Sequence, residues 1–296
     1  MKKIALLLLF LNPLLGNSQN IKIIDSTSKL PIPFATIKME KDGKFTNGMY
    51  TDENGDLSVP IDRQYDEIII SCIGFETKKV AYNQHEKSIE LAKKTYSIDE
   101  VIINNKNNIQ IGYSKEQKSS NSVGVAKGLE IAVFVENKLD YEATINSVQF
   151  TIKKTKEKVA FRVHLYTLSD DNLKPNEDLL QDNRIYYIAS NTHGLISINL
   201  SEYNIVLPKK GVFVGIEGLS GAITNNTLNK KNSLIVETHK SSLPIYQERH
   251  QLENIGWVNI NKWLPNNYYL TFNKKYDEDK LFVPSFGLKI NKIEKD

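Results

Sequence analysis

Apolar and polar residues alternate along much of this chain with a period of two. Val159, Phe161, Val163 and Leu165 alternate with Ala160, Arg162, His164 and Tyr166. Successive side chains of a strand point to opposite faces, so this run predicts a strand with one core face, and with His164 beside Arg162 on the other. Similar short segments recur every eight to twelve residues, separated by turn residues, and no strong helical segment interrupts them. In the first third they predict strands at 21–24, 34–39, 45–51, 57–59, 67–72, 77–81 and 88–91. After residue 123 they predict strands at 130–136, 145–152, 184–189, 195–200, 212–217, 233–238, 256–259, 268–271 and 286–290. The stretch 173–180 reads as a loop with one short helical turn, because Pro175, Asn176 and Asp178 break the apolar pattern.

The connections carry matching chemistry. Asp42-Gly43 and Asn54-Gly55 suit tight hairpin turns, since glycine accepts a positive φ without steric cost. Asp52-Glu53-Asn54-Gly55-Asp56 places oxygens at alternate positions, as calcium loops do, but its glycine is fourth and residue twelve is Arg63, so a turn is the better reading. Pro31 and Pro33 mark a strand entrance. Residues 104–122 are rich in Asn, Lys, Ser and Gln, have little apolar surface to bury, and read as a linker in which 109–113 forms a short strand.

The N-terminus departs from this pattern. Met1-Lys2-Lys3 precedes an apolar run, Ile4 to Leu11, and then Gly16, Asn17 and Ser18. A basic start, an apolar core and a small-residue exit are the parts of a secretory signal peptide, here ending near Ser18–Gln19. The run is shorter than the roughly 20 residues that cross a bilayer as a helix, and no cysteine follows it to accept a lipid. No later apolar stretch is long enough to span as a helix, so no transmembrane segment is expected in the mature chain.

Composition narrows the picture. The chain has 296 residues, 40% hydrophobic and 25% charged, which is ordinary for globular protein. A net charge of +3 with interspersed signs argues against a nucleic-acid partner. The one cysteine, Cys72, lies in the apolar run Ile68–Ile73 and reads as a core residue rather than a nucleophile.

Chemistry-bearing motifs are scarce. The sequence contains no nucleophile elbow, phosphate loop, HExxH or paired CxxC, and the five histidines lack the local spacing of zinc ligands. No catalytic residue, metal ligand or cofactor is assigned, and the chain is expected not to be an enzyme. The candidate ligand-binding residues are Trp257, Trp263, Tyr268 and Asn261, in a region where aromatic faces and amides alternate and which holds both tryptophans. Such a mixture could hold a sugar ring. The alternative makes Trp257 and Tyr269 core residues of two strands.

Four segments in order carry a family resemblance: Ile23-Ile24-Asp25; Leu30-Pro31-Ile32-Pro33-Phe34-Ala35-Thr36-Ile37; Thr51-Asp52-Glu53-Asn54-Gly55-Asp56-Leu57; and Ile70-Ser71-Cys72-Ile73-Gly74-Phe75-Glu76. Together they resemble the carboxypeptidase-like regulatory domain, over most of residues 20–103. The resemblance implies a transthyretin-like β-sandwich that is not itself a peptidase. Residues 96–103 are similar to the segment that closes this module in TonB-dependent outer-membrane proteins, although the remaining chain is too short for the plug and barrel that follow there. Further on, Phe161-Arg162-Val163-His164-Leu165-Tyr166, Pro175-Asn176-Glu177-Asp178-Leu179-Leu180, Ile198–Ile205 and Gly211–Glu217 resemble a domain of no assigned activity found beside the regulatory module in exported proteins of Gram-negative bacteria.

The reading is therefore an all-β chain: a signal peptide at 1–19, a transthyretin-like sandwich at 20–103, a polar linker at 104–122, and a larger jelly-roll-like sandwich at 123–291. The expected function is that of an exported, non-catalytic binding or scaffolding module of the cell envelope, in the periplasm or at the outer membrane. Its expected partner is an envelope protein or a glycan. The alternatives are a carbohydrate-binding protein of a glycan-uptake system and a hydrolase whose site assembles only in space.

Overall fold

The computed structural model describes residues 18–60, 65–82, 86–94, 109–113, 122–169, 174–224, 227–241, 245–260 and 281–293. Their regular secondary structure is almost entirely strand, and the chain divides after Thr95 into two compact units.

The first unit contains β1 (Ser18–Asp25), β2 (Thr36–Lys41), β3 (Lys44–Tyr50), β4 (Asp56–Pro60), β5 (Glu67–Ser71), β6 (Lys78–Ala81) and β7 (Ser88–Leu91). One sheet has the order β4-β1-β7, with β1 and β7 parallel, and the other β3-β2-β5-β6. The alternating residues Ile21, Ile23, Leu57 and Val59 of the first sheet meet Ile37, Met39, Ile68 and Ile70 of the second in one apolar core. Cys72 packs half-buried at its margin. Asp42 and Gly43 both take positive φ between β2 and β3, as a two-residue hairpin turn requires. The Asp52–Asp56 segment is a turn, in which Asp52 Oδ1 accepts the amides of Asn54 and Asp56 at 2.8 Å each. Its oxygens are thus turned onto the local backbone. Asp25 does the same for Thr27, at 2.8 Å, and Ser28. These backbone bonds, led by the one from Thr27, hold its carboxyl below the usual carboxylate range.

The second unit begins with β8 (Ile109–Gly112), inside the stretch read as a linker, and β9 (Ser122–Val125). It continues with β10 (Leu129–Glu136), β11 (Ala143–Ile152), β12 (Val159–Leu168), β13 (Pro175–Asp178), β14 (Tyr186–Ile188), β15 (Gly194–Asn199), β16 (Gly211–Gly218), the small hairpin β17 (Ile223–Thr224) and β18 (Thr227–Leu228), β19 (Leu234–Ser241), β20 (Tyr246–His250), β21 (Ile255–Asn259), β22 (Leu281–Pro284) and β23 (Gly287–Lys292). One sheet runs β13-β12-β16-β10-β20-β21, with β14 also on β12. The other runs β22-β19-β11-β23-β8, with β15 on β11 and β9 on β19. Val159, Phe161, Val163 and Leu165 of β12, Val212, Val214 and Ile216 of β16, and Ile131, Val133 and Val135 of β10 turn inward against Phe150, Phe286, Leu288 and Ile290 of the facing sheet. Among the described residues no helix is long and apolar enough to cross a membrane.

One expectation is corrected. Residues 175–178, read as part of a loop, form β13 along the edge of β12. Proline is tolerated as the first residue of an edge strand, and an edge strand that buries one residue in two need not look apolar. Strand β20, Tyr-Gln-Glu-Arg-His, between β10 and β21, was not among the expected strands because its buried residues Gln247 and Glu248 are polar and leave no apolar alternation. The expected strand at 268–271 lies outside the described residues.

Candidate functional site: a buried ionic network on the outer face of one sheet

The face of β12 that turns away from the core would ordinarily be solvated. Here Arg162, His164 and Tyr166 are buried, as are Glu217 on β16 and Glu130 on β10. Strand register explains how they meet. Arg162 lies opposite Glu217, Glu217 opposite Glu130, and Glu130 opposite Arg249 of β20. A row of charges, plus-minus-minus-plus, therefore crosses four strands.

The two glutamates are like charges on directly opposed residues, which is destabilising by itself. The arginines and His164 offset it. Arg162 forms a short ion pair with Glu217. Arg249 donates from Nε and Nη2 to Glu130 Oε2, at 2.7 and 2.6 Å. Gln251 Nε2 donates to the same oxygen at 3.2 Å. The hydroxyl of Tyr166 donates to Glu130 Oε1 at 2.7 Å and accepts from Arg249 Nη2 at 2.8 Å.

His164 sits one row further along, opposite Gly215, whose neighbour across β10 is Ala132. These small residues leave room for the imidazole. A Cβ on Gly215 would stand 3.2 Å from His164 Cβ and 3.3 Å from both Glu130 Oε1 and Tyr166 Cε2. The ring stacks on Tyr166 with 9° between the planes. Its Nδ1 lies 2.7 Å from Asp178 Oδ2, and its Nε2 lies 3.3 Å from Glu217 Oε2 and 3.9 Å from Glu130 Oε1. Burial pulls the imidazolium towards neutrality, but the carboxylates of Glu130 and Asp178 and the hydrogen bonds to Asp178 and Glu217 outweigh it, raising the pKa to about 10. With both ring nitrogens facing carboxylates, His164 is a double donor. Three acids (Glu130, Asp178, Glu217) then balance three cations (Arg162, Arg249, His164), so the network carries no net charge. Burial, with Glu130 and Asp178 nearby, pushes the Tyr166 phenol well up and keeps it a donor.

The strand β13 supplies Asp178. Its other oxygen accepts the amides of Leu165 and Leu180, at 3.2 and 3.0 Å, which locks β13 to β12.

Trp257 of β21 stands at the rim of this face. The Arg249 guanidinium lies over its indole, 4.4 Å from the centroid, and Tyr166 meets it edge-on at 5.7 Å. Half-buried, it packs with Ala132, Phe134, Tyr166 and Phe213. Trp263, Tyr268 and Asn261 lie outside the described residues. Among the described residues no group of His, Cys, Asp or Glu side chains is arranged to hold a metal ion.

Of the residues that build this network, the sequence singled out only His164, with Arg162 beside it. A readable sign existed for two others. Glu130 and Glu217 are lone carboxylates inside the apolar runs Leu129–Val135 and Val212–Gly218, and every residue of β16 is buried. Strands buried on both faces read as continuous apolar runs, so a charge within one must find a buried partner.

Fold and site together define an all-β protein of two units, the second with a closed ionic network on the outer face of one sheet. Residues 22–103 match the family model of the CarboxypepD_reg-like domain, and the first unit is a domain of that non-catalytic kind. No curated protein matches the chain. A solved structure of the cysteine protease and lectin-like domains of Cwp84, a surface-layer-associated protein of Clostridium difficile, aligns with a TM-score of 0.38 and 10% identity. That alignment spans 93% of this chain and 63% of the other.

Proposed function

We propose that the chain is an exported, non-catalytic binding or scaffolding module of the Gram-negative cell envelope. The observation that carries the non-catalytic part is the closure of the His164 network. A general base needs a free lone pair within reach of a substrate proton, whereas both nitrogens of this imidazole donate to carboxylates. The arginines are likewise occupied by Glu217 and Glu130. What the network offers outward is its rim, Arg249 and Trp257, held in fixed positions and suited to contact rather than turnover. The regulatory-like first unit supports the same reading, and the basic-apolar-small pattern of residues 1–18 supports export. The folded strand β1 starts at Ser18, where the leader is expected to end.

Two measurements test this. Expressed in a Gram-negative host, the chain is expected in the periplasmic or membrane fraction with a new N-terminus at Gln19 or Asn20. Recovery from the cytoplasm with the leader intact overturns export. The purified mature chain is expected to co-sediment with isolated envelopes and to turn over no substrate in peptidase and glycosidase panels. Hydrolysis that His164→Gln abolishes overturns the non-catalytic reading, and failure to co-sediment overturns the binding one.

A further inference from the structure

A second feature of the C-terminal unit lies apart from the ionic network. At one end of the sandwich, the loop joining β10 to β11, the loop that enters β16 and the last residues of β23 enclose a cleft of about 770 Å³. Its lining includes Leu139, Asp140, Tyr141, Lys209 and Lys292, with Leu207 and Ile293 also on its wall. That volume is within the range of small-ligand sites.

The cleft is preformed by its own backbone bonds. Asn137 Nδ2 donates to the Pro208 carbonyl at 3.1 Å, and Asn137 Oδ1 accepts the Leu139 amide at 3.0 Å. The amides of Leu207 and Ile293 donate to the carbonyls of Ala143 and Glu142, each at 2.8 Å. Gly211, at φ +115°, closes the second loop where a Cβ would stand 2.3 Å from the Val135 carbonyl oxygen. Both loops are thus tied down without a ligand.

The amides of Leu139, Leu207 and Ile293 are already bonded within the protein. The recognition groups of the cleft are side chains. Its lining holds two lysines, Lys209 and Lys292, and two acids, Asp140 and Glu142, so its formal charges balance. Among the described residues Asp140 and Lys209 have no ion-pair partner, which leaves their donors and acceptors for a ligand. Tyr141 and Leu139 are half-buried against the core, Lys292 Nζ lies 5.0 Å above one face of the Tyr141 ring, and Leu207 and Ile293 complete an apolar wall, so the aromatic surface offered to a ligand is the exposed part of that ring. A ligand that matches an aromatic face, an apolar wall and balanced donors and acceptors has C–H faces and many hydroxyls.

We propose that this cleft binds a neutral oligosaccharide, with Tyr141 packed on a pyranose ring and Asp140, Lys209 and Lys292 bonded to its hydroxyls. The proposal rests on the reading of the chain as a binding module and names a ligand class and a place for it. Isothermal titration and saturation-transfer NMR of the mature chain with maltohexaose, cellohexaose, chitohexaose and mannohexaose test it, with hexagalacturonate and hexalysine as charged counterparts. At least one neutral hexasaccharide is expected to bind, tenfold or more weakly in Tyr141→Ala and severalfold more weakly in Asp140→Asn and Lys209→Met. Tyr187→Ala, which removes an exposed tyrosine of β14, is expected to change nothing. Should Tyr141→Ala melt early, the two exposed charge variants decide. Binding of none of the neutral sugars, binding indifferent to these variants, or binding of a charged probe alone overturns the proposal. Co-sedimentation with envelopes that persists in Tyr141→Ala alongside any of these results leaves the binding-module reading standing and removes only the cleft.

Discussion

The two units solve the same packing problem and treat charge differently. Each closes two sheets over an apolar core, but among the described residues of the first the buried polar groups, Asp25, Thr36 and Thr51, are few and small. Asp25 and Thr51 bond to nearby backbone and fix turns. The second unit buries Glu130, Arg162, His164, Glu217 and Glu248, side chains whose desolvation is expensive unless each finds a partner. The first unit closes its core with no such network among its described residues. The network also fixes the rim of this face, where the Arg249 guanidinium lies against Glu130 on one side and over the Trp257 indole on the other.

The comparison can be broken most severely at Arg162. Arg162→Ala leaves Glu217 buried without its guanidinium and is expected to destabilise the second unit by about 3–5 kcal/mol. Both tryptophans lie in that unit, so fluorescence-detected urea unfolding reads it selectively. An effect below 1 kcal/mol, on the order of an exposed ion pair, would mean that the network is solvated and the contrast between the units false.

Next in size is a pH dependence confined to the second unit. His164 has its folded pKa raised from 6.5 to about 10, so its stabilisation is complete below 6.5 and is lost as pH rises through 10. Glu248 of β20 is buried on the core side, where desolvation raises its pKa from 4.5 to about 8. An acid with a raised folded pKa binds its proton more tightly in the folded state, so stability falls as pH rises from 4.5 to 8 and is level above that. Each slope approaches about 1.4 kcal/mol per pH unit. Stability read by fluorescence-detected unfolding is expected to decline across pH 6.5–10, and Glu248→Gln is expected to halve the slope between 6.5 and 8. Below 6.5 the pKa values of His239 and His250, lowered by burial, oppose the Glu248 slope. A flat profile in the wild type would refute both assignments.

Smaller effects sharpen the contrast. Gly215→Ala forces a methyl against His164, Glu130 and Tyr166 and is expected to cost about 1–3 kcal/mol, the range for overpacking. In the first unit, Asp25→Ala removes the turn bonds to Thr27 and Ser28 and is expected to cost about 1 kcal/mol. Hydrogen exchange should register that loss in the strands around β1, while the tryptophan transition stays unchanged. A shift of both signals together would show that the two units do not unfold independently.

Much of the architecture was readable along the chain. Alternation in 159–165 placed Phe161 and Val163 inward and His164 outward, and the structure agrees. The Asp-Gly turn at 42–43 was readable because it depends on local backbone chemistry, and the regulatory-like domain because four segments resemble that family in order. The network was not. Asp178 lies in a polar stretch that pairs with β12 only because an edge is free there, and Arg249 lies in a strand with almost no apolar alternation. Glu130 and Arg249 are far apart in sequence, and only the antiparallel register of β10 and β20 makes them neighbours.

The alternating pattern alone settled that the chain is all-β, where most strands fall and which of their faces is apolar, because side-chain direction in a strand is a local property of the backbone. It could not settle what lies against the other face. That depended on which strands became neighbours and in what register, long-range pairings that turned a face legible only as polar into a largely buried, neutral assembly of six charges, His164 among them.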